Sequence, residues 1–468
     1  MKVNLIYSRT KGSIIGVNGD LLCRVSEDMK WFKRITMGKG NIVIMGYKTW
    51  LSIPRKPLPD RYNIILTKHH KEDIEESEYV KAFTSFEDAM TFVGSIVYHK
   101  VFVIGGAQIF EYVLMKYQES IDCIYETLMD VEYGGGGDIQ YISRDLIGFE
   151  NVYKKEKVCK GDIYGEEDSK EITCQYLIYQ NKEMINRQEY QYLELLKHIR
   201  ENGVLKKTRN ADVLSSFGEK MVFDLREGFP LLTTKKMGWK TILRELLWFL
   251  SGSTDNKELQ KKNVHIWDMN ASKEYMATRG LDYEEGDLGP IYGFQWRHFG
   301  DEYRGVDHNH TGGVDQIKEI IHLLKNDPMS RRIILSAWNP SDLGKMALPP
   351  CHILTQFSVD GEYLDAQLYQ RSGDMFLGVP YNIASYSFLL HILGKMTGYI
   401  PRYLHHVIGD CHIYSEHIDA VETQLERVPH TMAGVEIDTI DDIDTVTEDM
   451  IRIFSYKSYS QIKAPMIA

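Results

Sequence analysis

The sequence lacks the features of an exported or membrane-bound protein. No uninterrupted apolar run is long enough to span a bilayer, and residues 1–7 pass almost at once into polar residues, unlike a secretory signal. The six cysteines are scattered without a CxxC pair, which is the pattern of neither a zinc site nor a disulfide framework. We therefore expect a cytoplasmic protein with no membrane partner and no metal.

The sequence also has no excess of basic residues. Lys and Arg number 55 against 66 Asp and Glu, which gives a formal net charge of -11 at pH 7. A protein devoted to nucleic acid usually has a basic domain, so nucleic acid is not an expected partner. What the chain does have is 468 residues, of which 43% are hydrophobic, enough for more than one globular core.

Residues 1–180 alternate short strands with helices. Apolar stretches rich in β-branched residues predict strands at 3–7, 41–45, 63–67 and 101–104. Helical spacing predicts helices at 27–36 and 85–93. This alternation indicates an α/β sandwich around a largely parallel sheet.

Two of the predicted strands end in glycine, at Gly46 and at Gly105-Gly106, and a helical stretch follows each. Glycine lets backbone N–H groups approach a phosphate at a helix N-terminus, so a nucleotide cofactor would lie across both turns. Tight turns without a ligand are the alternative. In an earlier helix, Asp28 shares a face with Trp31 and Phe32, which places a carboxylate among aromatic rings. A carboxylate that only complements the helix dipole is the alternative there.

Further motifs of this half are Ile15-Gly16, Ile44-Met45-Gly46, Ser52-Ile53-Pro54, Pro57-Leu-Pro-Asp-Arg61, Val103-Ile-Gly-Gly106 and Tyr125-Glu-Thr127. With Asp28 and its aromatic neighbours, they stand in the order seen in dihydrofolate reductase, which residues 1–180 resemble throughout. The resemblance implies a reductase domain that uses NADPH. It also implies that Asp28, supported by Thr127, holds the pterin of the folate and assists protonation at its N5.

The same resemblance assigns the binding residues of this half. Arg61 would bind the glutamyl carboxylate of the folate. The folate would be walled by Phe32, Ser52 and Ile53. The cofactor-binding residues would be Ile15, Gly16, Gly46, Tyr47, Lys48, Thr49, Thr67, Lys68, Gly105, Gly106, Ala107, Gln108 and Ile109.

Several positions depart from the usual pattern of that family. Leu22-Cys23 stands where Pro-Trp is usual, and Phe110 where tyrosine is usual. Tyr7 replaces a small residue by the nicotinamide pocket, so we expect added bulk there. Tyr47 replaces a basic residue near the ribose phosphate, with Lys48 and Lys68 as substitutes for the missing charge. A weakened or inactive reductase half is therefore the alternative prediction.

Residues 181–187 form a short polar linker without the Gly/Ser or Pro composition of a long flexible one. They separate residues 1–180 from a second domain, residues 188–468. Near the end of that domain, the acidic run 438–449 is predicted to be a solvated loop and strand edge.

Cys351 is the most unusual residue of the second domain, because it follows two prolines and precedes an apolar run. This position predicts a nucleophile at the mouth of a strand. Arg331 and Arg332 precede it and Arg371 follows it. Arginine forks suit a phosphate dianion, and their positive field favours thiolate over thiol. A buried structural cysteine is the alternative.

Two long buried helices are predicted, at 235–250 and 376–395. The helix at 235–250 carries Glu245 within an apolar run. A carboxylate that is buried there needs a partner or a raised pKa. The alternative is that Glu245 lies at the polar edge of the helix. Asn382 lies near the start of the helix at 376–395 and has both the donor and the acceptor needed to recognise a pyrimidine. A capping or turn role is the alternative. His412 and Tyr414 alternate onto one face of an extended segment, as two side chains that grip a sugar hydroxyl would.

The second domain also contains the motifs 229–236, 245–250, 286–297, 348–352 and 381–386, and with these residues 188–468 resemble thymidylate synthase. The resemblance implies an α+β domain that converts dUMP to dTMP with 5,10-methylenetetrahydrofolate. Cys351 would add to carbon 6 of the uracil, so that carbon 5 can attack the one-carbon unit. Glu245 would manage protons through water, and Tyr292 would sit by the proton on carbon 5. Residues 456–461 replace a His-Pro element that is usual in this family.

The resemblance also assigns the binding residues of this half. Arg331 and Arg332 would reach the phosphate across a homodimer interface made by this domain. Asp374 would hold the pterin of the folate, and Trp267 would lie near the transferred hydride. The dUMP-binding residues would be Arg209, Arg331, Arg332, His352, Gln370, Arg371, Ser372, Asp374, Asn382, His412 and Tyr414.

The two resemblances explain each other, because the second activity produces the dihydrofolate that the first reduces. A fused bifunctional enzyme is the prediction, with dUMP and folates as its small-molecule partners. A nucleotide hydroxymethylase on the same fold is the rival enzyme, although Asn382 favours uracil over cytosine. A folate- or RNA-binding protein that has lost catalysis is the alternative of another class.

Overall fold

The structure is a computed structural model that describes residues 1–142, 146–208 and 211–467. The chain divides into two compact units, Met1–Ile185 and Asn186–Ala468. The predicted phosphate ligand Arg209 lies outside the described residues. Within those residues, no helix combines the length and the apolar character that a membrane crossing requires.

The first unit is built on a sheet that has nine strands in the described residues, in the order β4-β11-β12-β9-β1-β8-β5-β6-β7. A smaller sheet has the order β10-β2-β3. The strands are β1 (Val3–Thr10), β2 (Ile14–Val17), β3 (Asp20–Leu21), β4 (Cys23–Val25), β5 (Ile42–Gly46), β6 (Tyr62–Leu66), β7 (Val80–Phe83), β8 (Val101–Gly105), β9 (Ile121–Met129), β10 (Ile139–Tyr141), β11 (Phe149–Ile163) and β12 (Lys170–Asn181). The helices are α1 (Ser26–Thr36), α2 (Tyr47–Ser52), α3 (Phe86–Gly94) and α4 (Ala107–Lys116).

The main sheet is parallel from β9 to β7 and antiparallel at the edge formed by β12, β11 and β4. The predicted α/β class and the largely parallel sheet are thus confirmed. Strand β5 is buried along its apolar residues, as expected for a strand covered on both faces. Strand β1 runs three residues beyond the predicted end, because it pairs with β9 as far as Thr10.

Between the units the chain leaves β12 at Asn181, makes a 3-10 turn at Lys182–Met184 and enters α5 at Arg187. The helices of the second unit are α5 (Arg187–Asn202), α6 (Trp239–Leu250), α7 (Asn256–Lys261), α8 (Lys273–Thr278), α9 (Tyr292–His298), α10 (Gln316–Asn326), α11 (Gly378–Thr397) and α12 (Ile418–Leu425). Its strands are β13 (Val204–Lys207), β14 (Asp212–Asp224), β15 (Ile334–Ser336), β16 (His352–Asp360), β17 (Tyr363–Asp374), β18 (Ile400–Tyr414), β19 (Gly434–Ile437) and β20 (Ile451–Phe454).

The second unit has a six-stranded sheet in its described part, in the order β13-β14-β18-β17-β16-β15. One face of the sheet packs into the core with α11, through residues such as Phe357, Leu368 and Ile408. The opposite face carries Ile334, Leu354 and Tyr369, which are exposed. Apolar residues therefore occupy both faces, although only one face is covered within the chain.

The helix predicted at 235–250 is shorter than expected, because α6 begins only at Trp239. The residues before it are held in an extended path. The backbone N–H groups of Thr233 and Thr234 donate to the buried carboxylate of Glu189 at 2.8 to 2.9 Å. The ammonium of Lys235 donates to the carbonyl of Phe376. These tertiary hydrogen bonds override the helical pattern of the sequence.

The prediction of a solvated acidic run at 438–449 was only partly right. The run does lead into a strand edge, β19 paired with β20. However, Asp444 lies 2.7 Å from the guanidinium of Arg297, and Glu448 lies 2.5 Å from that of Arg244. The run is therefore docked through ion pairs to basic residues that are distant in sequence.

Candidate active sites

Asp28 in α1 lies in the first unit where the helix faces strand β9. Its carboxylate is buried and accepts a hydrogen bond of 2.6 Å from the Thr127 hydroxyl. Burial raises the pKa of Asp28 to about 6, although the bond from Thr127 lowers it. Because the carboxyl group titrates near neutral pH, it can hold and release a proton under ordinary conditions.

The two glycine turns lie side by side, because β5 pairs with β8 in parallel and Met45 lies opposite Gly105. Gly105 has φ +129°, a conformation that favours glycine, and a Cβ on it would lie 3.4 Å from the Thr49 hydroxyl. A Cβ on Gly46 would lie only 3.0 Å from Ile109. Side chains at these positions would fill the space between the turns.

Helices α2 and α4 begin directly after these glycines, and neither first turn is capped by a side chain. Their backbone N–H groups are thus left for another acceptor, such as a phosphate. Thr67 follows β6 beside the first turn and is buried, while Lys48 and Lys68 are exposed. Ile15 and Gly16 lie in β2, and Ala107 and Gln108 open α4.

Tyr7 does not add bulk on the side of Asp28. Neighbouring residues of β1 point to opposite faces, and Ser8 pairs with Thr127, whereas Tyr7 pairs with Glu126. The Tyr7 ring packs on Phe110 at 5.4 Å, and its hydroxyl donates to Glu126 at 3.1 Å. The ring therefore lies on the face that carries α4, and the expected bulk by the nicotinamide pocket stays a prediction.

Tyr47 stacks on His70 with ring centroids 4.4 Å apart. Asp73 accepts hydrogen bonds from both, at 3.4 Å from the Tyr47 hydroxyl and 2.8 Å from His70 Nδ1. Tyr47, which stands where the family usually has a basic residue, is thus part of an aromatic pair that is hydrogen-bonded to a carboxylate.

The residues expected to hold the folate surround the end of α1 and of α2. Arg61 is buried and donates to the Thr36 hydroxyl at 2.6 Å and to the Pro59 carbonyl at 3.0 Å. Burial lowers the pKa of its guanidinium. Phe32 and Ile53 are partly buried, while Ser52 is exposed at the end of α2.

In the second unit, Cys351 directly precedes β16, at the predicted mouth of a strand. Its backbone N–H donates to the Tyr292 hydroxyl at 2.7 Å. Arg371 lies beside Cys351, with its Nη2 3.9 Å from the sulfur. Its Nε donates to the Pro350 carbonyl, and its Nη2 donates to the Pro349 carbonyl. The proline carbonyls thus hold the guanidinium against the thiol.

Burial raises the pKa of the Cys351 thiol above its ordinary value, and the charge of Arg371 lowers it. The guanidinium therefore acts in the predicted direction, but burial is the larger effect. Of the predicted arginines that lie within the described residues, Arg371 is the one that contacts the thiol. Arg331 and Arg332 are exposed and have no carboxylate partner within the described residues.

Glu245 points from α6 toward an aromatic cluster. Its carboxylate accepts a hydrogen bond of 2.7 Å from the Trp267 indole, and Trp267 in turn packs against Tyr292 at 6.2 Å. Burial raises the pKa of Glu245 to about 7, and the Trp267 bond lowers it. Glu245 can therefore gain or lose a proton near neutral pH, and it belongs to the same cluster as Cys351 through Tyr292.

The remaining predicted residues line the carboxyl ends of β17 and β18 and the start of α11. Asp374 accepts from the N–H groups of Phe376 and Leu377. His412 and Tyr414 do share one face, with ring centroids 5.1 Å apart. Asn382 is partly buried near the start of α11, and Ser372 is partly buried beside Arg371.

His352 and Gln370 are turned inward. His352 stacks on Tyr292 at 4.1 Å and bonds Tyr386 at 2.7 Å through Nδ1, and burial lowers its pKa to about 3, so it is neutral. Gln370 accepts a hydrogen bond from His406 Nε2 at 2.8 Å through its amide oxygen and donates to the Ser372 carbonyl at 2.9 Å.

Two residues of this cluster were not predicted. Tyr386 fixes His352, and its place four residues after Asn382 on α11 was a signal that could have found it, because both then share a helix face. Trp338 lies under the Arg371 guanidinium at 5.8 Å. Nothing in the local sequence connects Trp338 to Arg371, which is brought there only by the fold.

In the part of the chain that the structure describes, no group of three or more His, Cys, Asp or Glu residues could hold a metal ion.

Comparisons with known proteins agree with this division into two sites. A family model for dihydrofolate reductase matches residues 2–169, and one for thymidylate synthase matches residues 190–468. The chain is 42% identical to a bifunctional dihydrofolate reductase-thymidylate synthase of Zea mays, over 99% of this chain and 96% of that protein. It is 40% identical to one of Paramecium tetraurelia, over 99% and 98%. A thymidylate synthase of Ascaris suum is 50% identical over 60% of this chain and 98% of its own length.

Proposed function

The chain belongs to the bifunctional dihydrofolate reductase-thymidylate synthase family, and from that premise we propose which residues carry out its two reactions. The enzyme converts dUMP to dTMP with 5,10-methylenetetrahydrofolate and reduces the dihydrofolate product with NADPH. Both families use these compounds generally. We assign the reductase domain to residues 1–180, a short linker to 181–187 and the synthase domain to 188–468.

An inactive reductase half is not favoured. The observation that supports an active one is the buried Asp28 with its hydrogen bond from Thr127, at a pKa of about 6. Asp28 would bind the pterin and supply or hold the proton at N5. Arg61, Phe32, Ser52 and Ile53 would hold the rest of the folate.

The two glycine turns suit a dinucleotide, because their free N–H groups and the lack of side chains leave room for phosphates. NADPH would supply the hydride when bound. Lys48 and Lys68 lie beside the first turn and would attract the ribose phosphate. Tyr47 and Asp73 bring no positive charge there.

In the synthase domain, Cys351 would attack carbon 6 of the uracil. Its thiol must first lose a proton. Burial raises the pKa of this thiol, and the nearby charge of Arg371 lowers it. The Tyr292 hydroxyl, which accepts the N–H of Cys351, lies between the thiol and the Glu245 cluster. Glu245, with a pKa of about 7, would exchange protons with the base through water.

The phosphate and sugar of dUMP would be held at the ends of β17 and β18. Arg371 and Ser372 would bind the phosphate, Asn382 the uracil, and His412 with Tyr414 the sugar. His352 and Gln370 would act from the buried side of this surface, by keeping Tyr292 and Ser372 in place. Arg209 is proposed as a further phosphate ligand on sequence resemblance alone.

We propose that the enzyme is a homodimer through the open face of the synthase sheet. On this face Leu354 lies opposite Tyr369, and Tyr369 lies opposite Val407, so the apolar side chains are contiguous. A contiguous exposed apolar face on a sheet is usually covered by a partner. Arg331 and Arg332, exposed and without a carboxylate partner in the described residues, would reach the phosphate of the partner subunit.

We also propose a cytoplasmic location. All six cysteines are free thiols, as is usual for a reducing compartment.

A coupled assay with dUMP, 5,10-methylenetetrahydrofolate and NADPH tests the assignment. Cys351→Ala should abolish formation of dTMP and leave the reduction of added dihydrofolate unchanged. Asp28→Asn should do the reverse and lose most of the reductase rate near neutral pH. The proposal is wrong if either variant retains the activity assigned to its residue, or if the unmutated enzyme forms hydroxymethyl product instead of dTMP.

A further inference from the structure

His417 is a fully buried histidine of the synthase domain that has no role in the proposed reactions. It follows β18, and its ring lies 5.4 Å from those of Phe376 and Tyr414. Its Nε2 lies 2.8 Å from the carbonyl oxygen of Pro465, and its Nδ1 lies 3.6 Å from Oδ1 of Asp374. The ring therefore stands between the carboxyl end of β17 and the C-terminal segment 461–467.

Both ring nitrogens of His417 face acceptors, one a carbonyl and the other a carboxylate. A neutral imidazole has only one N–H, so it would leave one nitrogen lone pair directed at an oxygen. The doubly protonated ring removes that conflict and pairs its charge with Asp374. Burial by itself lowers the pKa of His417, but Asp374 and the Pro465 carbonyl raise it above its ordinary value.

Two other charged groups, Lys235 and Asp374, affect the protonation of the His417 ring. Lys235 is the cation on the neighbouring extended segment, and its charge opposes protonation of His417. Burial lowers the pKa of Lys235 to about 7, so this opposition weakens as the pH rises. Burial would raise the pKa of Asp374, but His417 and the N–H groups of Phe376 and Leu377 lower it. Asp374 thus remains an anion beside the ring.

The C-terminal segment is attached to the same region by several contacts. Ile462 and Ala464 pack against the core. Just before them, the Ser460 carbonyl accepts from Arg427 at 2.8 Å, and the Tyr459 N–H donates to Thr233 at 2.8 Å. His417 supplies the last of these attachments, and the only one of those named here that also contacts a predicted ligand-binding residue.

We propose that His417, as an imidazolium, is a positioning residue that joins the folate-binding carboxylate Asp374 to the C-terminal segment. This inference depends on the proposed role of Asp374. The charged ring would keep Asp374 aimed at the pterin and would keep residues 461–467 in place. Loss of one proton would remove the charge beside Asp374 and leave a single N–H for two acceptors, so binding of the folate should weaken as the pH rises through the pKa of His417.

Two neutral variants separate the contacts of the two nitrogens. The amide nitrogen of His417→Asn replaces Nδ1 beside Asp374, whereas that of His417→Gln replaces Nε2 beside Pro465. We expect each to raise the KM for 5,10-methylenetetrahydrofolate about tenfold, because each removes the positive charge beside Asp374 and one of the two contacts of the ring. The kcat and the KM for dUMP should change much less. The rise of the folate KM with pH in the wild type should be absent from both variants.

Hydrogen exchange gives a readout that does not depend on activity. Exchange in residues 461–467 should speed up in His417→Asn and stay near wild type in His417→Gln, which keeps the donor to Pro465. Nitrogen-15 spectra of the histidines should show one ring that stays doubly protonated to a higher pH than an ordinary histidine in the wild type and is absent from both variants.

His391→Asn is the matched control. His391 is another largely buried histidine of the synthase domain, in α11, and burial lowers its pKa to about 4, so it is neutral near pH 7. This variant should leave the folate KM, the pH dependence of that KM and the hydrogen exchange of residues 461–467 unchanged.

The inference is overturned if the wild type shows no histidine that stays doubly protonated to a higher pH than an ordinary histidine, even where the His417 variants do not fold. It is also overturned if both folded variants keep the wild-type folate KM at every pH. By contrast, a wild-type enzyme that makes no dTMP would refute the proposed function and not this inference alone.

Discussion

The ionisation states of single residues follow from burial and from one hydrogen-bond partner each. Asp28 and Glu245 have pKa values of about 6 and about 7, because burial penalises their charged forms. The same penalty lowers the pKa of His352 to about 3 and keeps it neutral. Each reaction thus has a carboxyl group that can be protonated near neutral pH.

Thr127→Val should move the pH profile of dihydrofolate reduction. A protonated Asp28 is the active form in our proposal, so the rate should fall as the pH rises above about 6. The Thr127 bond stabilises the carboxylate and lowers this pKa, so its removal should shift the inflection upward by about one pH unit. The profile of kcat/KM against pH measures this shift.

Thr91→Val serves as the control, because Thr91 is an exposed threonine in α3 that bonds only the Glu87 carbonyl. An unchanged inflection in Thr127→Val, with the protein folded, would show that Asp28 does not set the profile.

At the scale of elements, the acidic run 438–449 shows how tertiary ion pairs hold a segment without regular helix. Arg297 in α9 is buried and pairs with Asp315 and Asp444. Lys318 in α10 also reaches Asp444, at 2.7 Å. The run is therefore attached to two helices at one carboxylate.

Asp444→Asn should lower the stability of the synthase domain. A half-exposed carboxylate that pairs with a buried guanidinium is worth about 1 kcal/mol, since solvent screens part of the interaction. We expect the melting temperature to fall by about 2 °C in calorimetry, and less at high salt. Asp441→Asn changes an exposed carboxylate with no ion pair in the described residues and should have no effect. Equal melting temperatures for both variants would contradict the docking role of Asp444.

At the scale of the whole molecule, one chain contains a source of dihydrofolate and the reductase that consumes it. In our proposal the synthase site is the one that depends on assembly, since Arg331 and Arg332 have no carboxylate partner in the described residues and would reach the site of the partner subunit. The open sheet face would supply the apolar surface for that assembly.

Co-expression of two inactive chains tests the dimer. Cys351→Ala and Arg332→Ala chains should together regain about a quarter of the synthase activity, because half of the randomly formed dimers contain one intact site. Cys351→Ala with Glu245→Gln should regain none, since those residues belong to the same chain's site. Absence of activity in the first mixture, with mixed dimers present, would place Arg332 outside the partner's site.

Local sequence was sufficient for several elements and for the candidate chemistry of single residues. The four strands predicted in the first unit, the glycine turns after β5 and β8, and the position of Cys351 at the mouth of a strand follow from residue type and spacing. These features depend on neighbours in sequence, and the structure has them where the pattern placed them. The start of α6 is the exception, because Glu189 binds residues 233–234 from another helix.

Only the tertiary structure decided how distant groups meet and which charge each one carries. It placed Trp267 on Glu245 and the Arg371 guanidinium 3.9 Å from the Cys351 sulfur, and it turned Tyr7 away from Asp28. It also revealed Trp338 and His417, which no motif had singled out, and the bond by which Tyr386, the last residue of the motif 381–386, fixes His352. The physical reason is that pKa values and positions depend on burial and on partners far along the chain, whereas the sequence by itself determines only the order of residues and their local periodicity.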